Sequence, residues 1–227
     1  LSAKMMSKKA TDLPIERVSD VNDYFCDHYD YLKKLRVSHL NKGVYCFVAD
    51  AFDGSRHFIK KCNKSYVRQT NIDNPWNEIS ALSIISLIGS TYFPSFINAI
   101  EDDQYICVIS EYVEGVDLFD QIQKCKHGLP LDKAHRYLIQ ISHAVRQLHG
   151  HNLAHLDLST ENIMIDKHDN IKLLDFGVCT KLAESTPTAE QKQSNNLQSN
   201  NGNDSDSDGY SQIDEKTVDA HCTYSKH

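Results

Sequence analysis

The amino-acid sequence predicts an α+β fold, with a sheet-rich first half and a helical second half. Five runs with strand character lie between residues 35 and 111, stretches with helical periodicity follow, and a polar constellation occupies residues 155–177. The chain has 227 residues, of which 40% are hydrophobic, so it is long enough for one large domain or two small lobes.

Charge and hydropathy exclude several classes of protein. Residues 183–220 contain eight acidic and two basic residues and account for most of the net charge of −7. The rest is near neutral, which argues against a nucleic-acid-binding surface. Because no apolar run approaches about 18 residues, no membrane span is predicted. The start of the chain lacks a signal-peptide core and an initiator Met, so we expect it to be an excerpt of a longer protein.

The seven cysteines are odd in number, scattered and free of any C-x-x-C pair. This pattern favours reduced thiols over a disulfide framework or a zinc site, and it indicates a reducing compartment.

The first element after a predicted linker (1–18) is an amphipathic helix. Its apolar positions recur at spacings of three and four from Val21 to Leu35. Strands are predicted over 35–40, 44–51 and 56–62, the last two joined by a hairpin at Asp53-Gly54.

The middle of the chain alternates helices and strands. A helix follows Pro75, with Ile79, Leu82 and Ile85 on its buried face. Two strands follow, at 96–100 and 105–111, and then a short helix over 118–126. A longer helix spans 131–150, with Asp132 as its cap and a buried stripe of Leu138, Ile141, Val145 and Leu148.

Residues 155–177 carry the chemistry. Asp157 and Asn162 lie five residues apart, and Asp175 follows within Asp-Phe-Gly. Strands at 163–165 and 171–174, joined by a turn, would return Asn162 and Asp175 to the same end of a hairpin. Carboxylate and amide oxygens are hard ligands that suit magnesium.

This stretch resembles the catalytic loop H-R-D-L-x-x-x-N and the D-F-G turn of protein kinases. The resemblance implies a bilobal kinase-like fold: an N-lobe with a five-stranded antiparallel sheet and helix C, and a helical C-lobe truncated after the metal-binding turn. Asp157 would accept the proton of the attacking hydroxyl. Asn162 and Asp175 would hold magnesium, with manganese as an alternative.

Further positions match the kinase pattern. Lys60 stands where the strand lysine of V-A-I-K belongs, and Glu78 would pair with it to hold the ATP phosphates. The segment E-Y-V-E-G resembles the hinge, so backbone groups of Glu111 and Val113 would bind adenine, with Ser110 as a small gatekeeper.

Phe58-Ile59-Lys60-Lys61 is the tetrapeptide that names the FIKK kinases, a divergent family of apicomplexan parasites, and the chain resembles them over roughly residues 19–182. Only Gly43 remains in the window of the glycine-rich loop, 38–45, where it would approach the phosphates. The loss of the glycine-rich loop is itself a feature that resembles the FIKK family. Phe58 replaces the small residue that usually faces adenine.

The resemblance implies ATP-dependent transfer of the γ-phosphate to Ser/Thr of protein substrates. Leu156 and Ser159 depart from the usual Arg and Lys, so the hydroxyl preference is implied by the family alone. Two alternatives stay open: a pseudokinase acting as a binding module with impaired nucleotide binding, favoured by the degraded loop and Phe58, and a small-molecule kinase of the aminoglycoside or choline type.

The predicted organisation has five parts. A linker (1–18) precedes the N-lobe with its leading helix and hinge (19–113) and the first part of the C-lobe (114–182). A low-complexity insertion in the activation segment follows (183–220), expected to be disordered, and then the kinase domain resumes (221–227). With the remaining C-lobe helices missing, we expect the fragment alone to be inactive and poorly folded. The oligomeric state stays open, and family resemblance leaves export to a host cell open.

Overall fold

The computed structural model describes residues 13–35, 43–70, 74–126 and 128–182. These residues form a sheet-rich first part and a helical second part, which confirms the α+β class. None of the helices in these ranges is long and apolar enough to cross a membrane. Residues 36–40 of the strand predicted over 35–40, the insertion over 183–220 and the residues after it lie outside the described residues.

The main sheet contains six strands within the described ranges, in the order β1-β5-β6-β4-β3-β2. All neighbours are antiparallel except β1, which runs parallel to β5. The five antiparallel strands match the prediction in number, and β1 is an addition within the stretch predicted as linker. The strands are β1 (Glu16–Arg17), β2 (Tyr29–Lys34), β3 (Val44–Ala51), β4 (Arg56–Asn63), β5 (Phe96–Glu101) and β6 (Tyr105–Glu111).

Five helices and two small sheets complete the described part. The helices are α1 (Val21–His28), α2 (Lys64–Thr70), α3 (Pro75–Ile88), α4 (Leu118–Lys124) and α5 (Leu131–Gly150). One small sheet has the order β10-β9-β7, and the other pairs β11 with β8. Their strands are β7 (Gly115–Asp117), β8 (Leu153–Ala154), β9 (Ile163–Asp166), β10 (Ile171–Leu173) and β11 (Thr180–Lys181).

The leading helix is shorter than predicted. It ends at His28, and the following six residues form β2 along β3. Tyr29 and Leu32 still pack into the same apolar cluster as Phe25. The apolar spacing therefore identified buried residues correctly but assigned the wrong element, because pairing with β3 satisfies the backbone of a segment rich in tyrosine.

Helix α3 follows its sequence signals closely. The side chain of Asn74 accepts hydrogen bonds from the backbone N–H groups of Trp76 and Asn77, and Pro75 stands in the first turn. The helix ends at Gly89, whose φ of 64° suits glycine. Ile79, Leu82 and Ile85 are buried as predicted, and this packing places Glu78 against the sheet.

Helix α5 has the predicted bounds and part of the predicted buried face. It begins after Pro130 without a side-chain cap, so the assignment of Asp132 as cap is wrong. Leu148 is buried as predicted and Ile141 packs partly buried against the core, but Leu138 is 61% exposed, and Tyr137 and Ala144 complete the buried stripe. Tyr137 lies on this inner face, and its hydroxyl donates to the carboxylate of Asp169 in the turn of the β9–β10 hairpin.

Gly43 is required by packing. A Cβ atom at this position would overlap the ring of Tyr66 in α2. We therefore expect Gly43→Ala to lower the free energy of unfolding by about 1–3 kcal/mol, the usual range for overpacking. Thermal melts of the full-length protein with Gly43→Ala, with Tyr66→Gly and with both changes measure this, because only glycine at position 66 removes both the ring and the Cβ atom that the new methyl group would overlap. The loss in the double variant should be smaller than the sum of the two single losses, and additive losses would show that Tyr66 is not the cause.

Candidate active site

A cavity of about 360 Å³ opens between the main sheet and the β9–β10 hairpin. One wall contains Leu35 after β2, Cys46 of β3, and Phe58 and Lys60 of β4, and the segment after β10 forms the opposite wall. The lining is mostly apolar, with a few convergent polar groups, as in many small-molecule sites. Its residues are Leu35, Cys46, Phe58, Lys60, Glu78, Leu82, Pro94, Ser110, Glu111, Tyr112, Val113, Asn162, Met164, Leu174, Asp175 and Phe176.

Lys60 is the centre of the polar groups. Its Nζ lies 3.0 Å from Oε2 of Glu78 and 3.2 Å from Oδ1 of Asp175. The side chains of Lys60 and Glu78 are each only 8% exposed. The structure thus forms the predicted Lys60–Glu78 ion pair and adds Asp175 to it. A lysine held between two carboxylates has its ammonium group fixed at the cavity wall.

Asp175 is held in its charged form. Burial alone would raise the pKa of this carboxyl, but the charge of Lys60, the N–H of Gly177 and the lysine hydrogen bond lower it below its usual value. The residue has a φ of 59°, in the left-handed region that aspartate tolerates better than most side chains. An ionised carboxylate therefore faces the cavity at neutral pH.

Asp157 and Asn162 are joined directly. The Nδ2 of Asn162 donates to Oδ2 of Asp157 at 2.9 Å and to its carbonyl at 3.0 Å. Asn162 lines the cavity, whereas Asp157 lies exposed beside it. The hairpin brings Asn162 next to the D-F-G segment, because the N–H of Leu174 donates to its carbonyl at 2.8 Å. Asp157, Asn162 and Asp175 thus belong to one site.

His155 is a buried residue that contacts both the Asp157 loop and the D-F-G segment. It is buried, its Nε2–H donates to the carbonyl of Leu174 at 2.9 Å, and its Nδ1 accepts from the N–H of Asp157 at 3.3 Å. Its ring contacts Phe176 edge to face. One neutral imidazole therefore connects the Asp157 loop to the D-F-G segment, and burial lowers its pKa below 6.5.

The lowered pKa of His155 predicts acid sensitivity. The unfolded chain takes up a proton near pH 6.5, before the folded state does, so stability is intact above that pH and falls as the pH drops towards the folded-state pKa. Urea unfolding of the full-length wild type and of the full-length protein with His155→Asn, from about pH 7.5 to about pH 5, measures this. The wild type should lose more stability on acidification, and equal losses would exclude His155 as the cause. His57→Gln is the control for the other described histidine with a lowered pKa.

The hinge segment is tied to the second part of the chain. Lys172 in β10 places its Nζ 2.7 and 2.8 Å from the two carboxylate oxygens of Glu111 and donates to the carbonyl of Phe93 at 3.3 Å. Glu111 and Val113 line the cavity, as their predicted role requires. The ion pair with Lys172 was not predicted, because nothing in a lysine on a short strand identifies a partner 61 residues away.

Two side chains from neighbouring strands lie on the cavity wall that the main sheet forms. Phe58 and Ser110 are direct partners across β4 and β6, and both line the cavity. Cys46, which the sequence reasoning missed, pairs with Lys60 across β3 and β4 and therefore faces the cavity too. Counting the cross-strand register outward from Lys60 would have found it, since opposite residues share a face.

Gly43 is not part of this cavity wall. The cavity lining does not include it, and it contacts the ring of Tyr66 in the manner described above. The approach of Gly43 to a bound phosphate stays a prediction. Of the predicted site residues, the cavity brings together Lys60, Glu78, Phe58, Ser110, Glu111, Val113, Asn162 and Asp175, with Asp157 beside it.

A divalent cation fits the oxygen donors of this site. Asn162 uses its amide nitrogen towards Asp157, so that contact leaves its amide oxygen for a cation, and Asp175 is ionised. The described residues contain no group of three or more His, Cys, Asp or Glu side chains arranged to bind a metal. Such a cation would thus take remaining ligands from phosphate oxygens and water.

Comparison with known proteins identifies the family. The model of the protein kinase domain matches residues 36–201. A probable serine/threonine-protein kinase KIN1 homolog of Enterocytozoon bieneusi is 32% identical over 72% of this chain and 28% of its own length. The cAMP-dependent protein kinase catalytic subunit of Dictyostelium discoideum is 30% identical over 64% of this chain and 22% of its own.

A third relative matches a shorter stretch. The serine/threonine-protein kinase grp of Drosophila melanogaster is 41% identical over 32% of this chain and 14% of its own length. The chain therefore spans less than a third of each of these relatives. The family match covers most of the chain and includes the lysine, the loop and the D-F-G segment of the cavity. The chain belongs to the protein kinase domain family.

Proposed function

We propose that this chain is the catalytic part of an ATP-dependent protein kinase of the FIKK type, which transfers the γ-phosphate to serine or threonine of protein substrates. One observation carries the proposal. Lys60 lies within 3.2 Å of both Glu78 and Asp175 at the wall of a nucleotide-sized cavity. Kinase chemistry needs this lysine ordered against the phosphates and this aspartate ionised.

The residues divide the work as follows. Glu78 fixes Lys60, and Lys60 binds the α- and β-phosphates of the substrate ATP. Adenine lies between Phe58 and the hinge, where backbone groups of Glu111 and Val113 bind its edge. Magnesium held by Asn162 and Asp175 would supply positive charge against the transferring phosphoryl group.

Asp157 acts on the acceptor. Its carboxylate orients the substrate hydroxyl and accepts the proton as the oxygen attacks phosphorus. Asn162 fixes this carboxylate by its hydrogen bond at 2.9 Å. Because Asp157 lies exposed at the edge of the cavity, a protein segment can reach it from outside.

The proposal that this kinase is of the FIKK type rests on the amino-acid sequence. Phe58-Ile59-Lys60-Lys61 and the absence of a glycine-rich pattern around Gly43 support it. The named relatives with serine/threonine specificity favour the same acceptor here, although Leu156 and Ser159 depart from the usual loop. The proposal includes a reducing compartment. It leaves open export to a host cell, which the FIKK resemblance implies.

Acceptor identity is testable with the full-length protein. Degenerate peptide libraries fixed at serine, threonine or tyrosine, beside choline and an aminoglycoside, are incubated with γ-labelled ATP and magnesium. The proposal predicts label on the serine and threonine libraries. Label on tyrosine peptides or small alcohols would overturn the acceptor class, and ATP binding without transfer to any acceptor would establish the pseudokinase alternative.

A further inference from the structure

The second lysine of the Phe58-Ile59-Lys60-Lys61 motif has a buried position that the proposed chemistry does not use. Successive residues of a strand face opposite sides of the sheet, so Lys60 faces the cavity and Lys61 faces the other side. Lys61 is 8% exposed. A lysine is almost never buried without a partner, so the surroundings of this ammonium group indicate its role.

The partners of Lys61 come from helix α1 and from β6. Its Nζ donates to Oδ1 of Asn22 at 2.7 Å. It also lies 4.2 Å from the ring centroid of Tyr105 and 5.9 Å from that of Phe25. A hydrogen bond and cation–π contacts thus fix one end of the helix to the middle of the sheet.

A second polar contact fixes the same end of the helix. The N–H of Val21 donates to Oδ2 of Asp102 at 3.1 Å, and Asp102 is itself buried. The N–H groups of Gln104 and Tyr105 donate to its other oxygen. Asp102 therefore binds the first turn of α1, where a negative charge is favourable.

Helix α1 leads directly into β2, and β2 ends beside the cavity. Val21 and Phe25 are buried in an apolar cluster with Ala49 and Ile59 of the sheet. The chain then passes without a linker from His28 into β2, and Leu35 at the end of β2 lines the cavity. The N–H of that leucine donates to the carbonyl of Cys46, another lining residue.

We propose that Lys61 is a positioning residue. By anchoring α1 to the face of the sheet opposite the cavity, it holds β2 and Leu35 in the position beside the cavity that nucleotide binding requires. The inference rests on the proposed kinase function for its catalytic consequence. The structural link itself consists of the contacts from Lys61 through Asn22 and α1 to β2.

The test uses the full-length protein with Lys61→Met, which keeps the length of the side chain but removes the ammonium group. Three quantities are measured: binding of the fluorescent nucleotide mant-ATP with magnesium, the KM for ATP and kcat in peptide phosphorylation, and hydrogen exchange of peptides covering residues 29–35. We expect Kd and KM to rise roughly five- to tenfold, the usual size of coupling between separated sites. kcat at saturation should stay near wild type, and exchange over 29–35 should be faster.

Two further variants separate positioning from general stability. Asn22→Ala removes the acceptor from an exposed position and should reproduce the effect, and Lys61→Met with Asn22→Ala should add little more. Lys61→Arg retains a cation and should restore much of the affinity. Lys33→Met, an exposed lysine on β2 itself, is the matched control and should match the wild type.

The outcomes separate this inference from the proposed function. A wild type that binds mant-ATP but transfers no phosphate would overturn the kinase proposal, and the binding and exchange measurements would still test the anchor. A Lys61→Met variant with unchanged Kd and unchanged exchange over 29–35 would overturn the anchor. A lower melting temperature with an unchanged KM would also overturn it, because the lysine would then be only structural.

Discussion

Replacement of Asp157 by Asn is expected to lower kcat for peptide phosphorylation about 10²–10⁴-fold, the range for loss of a positioned general base. The amide keeps the shape of the side chain and its contact with Asn162, but it cannot accept the proton. Because Asp157 lies outside the cavity lining, the affinity for ATP should change little. Steady-state kinetics together with mant-ATP titration measure both quantities.

The matched control for this variant is Asp120→Asn, an exposed aspartate in α4. It should retain wild-type kcat and KM. If Asp157→Asn instead raised Kd for ATP and left kcat unchanged, the residue would act in nucleotide binding and its assignment as the base would be wrong.

Replacement of Lys60 by Met is expected to remove activity and to destabilise the fold. Loss of the ammonium group that faces the phosphates should lower kcat/KM about 10²–10³-fold or more. It also leaves the buried carboxylate of Glu78 near that of Asp175 without the cation between them. Removing one partner of a buried ion pair typically costs about 3–5 kcal/mol of stability.

The double variant Lys60→Met with Glu78→Gln distinguishes the two effects. It removes the buried negative charge, so much of the lost stability should return while activity stays absent. Lys124→Met, an exposed lysine at the end of α4, is the control and should behave as the wild type. Return of activity in the double variant would show that Lys60 matters only for folding.

The sequence predicted the chemistry of the site better than its framework. Lys60 and Glu78 could be placed together because their positions match the kinase pattern, whereas the contact of Lys60 with Asp175 appears only in the structure. The hairpin after Asn162 predicted that Asn162 and Asp175 lie at the same end, because both are fixed by structure close to them in the chain. The hydrogen bond between Asn162 and Asp157 was not predicted.

What the sequence did not predict depends on contacts between distant residues. The end of α1 at His28 is set by pairing of the next residues with β3, and Gly43 is a glycine because Tyr66 packs on it. The link from Lys172 to Glu111 likewise joins two strands with no local signal. Long-range pairing overrides local periodicity in each of these cases.

The carboxylate of Asp169 also depends on contacts between distant residues. It stands in the hairpin turn, where a sequence reading sees only turn chemistry, at a φ of 63°. In the structure it accepts from the hydroxyl of Tyr137 and pairs with Lys133 and Arg136 of α5. This cluster fixes the hairpin that presents Asn162 to the cavity, and only the packing of α5 against the turn shows it.

The roles of Lys60 and Asp157 in phosphoryl transfer can be separated in one side-by-side assay. Magnesium-dependent transfer from ATP to a serine/threonine peptide is measured for the full-length wild type, Asp157→Asn and Lys60→Met at matched folded concentrations. We expect transfer by the wild type, ATP binding without efficient transfer by Asp157→Asn, and impaired binding and transfer by Lys60→Met. Equal transfer by all three proteins, or no ATP binding by the wild type, would show that these residues do not have the proposed roles.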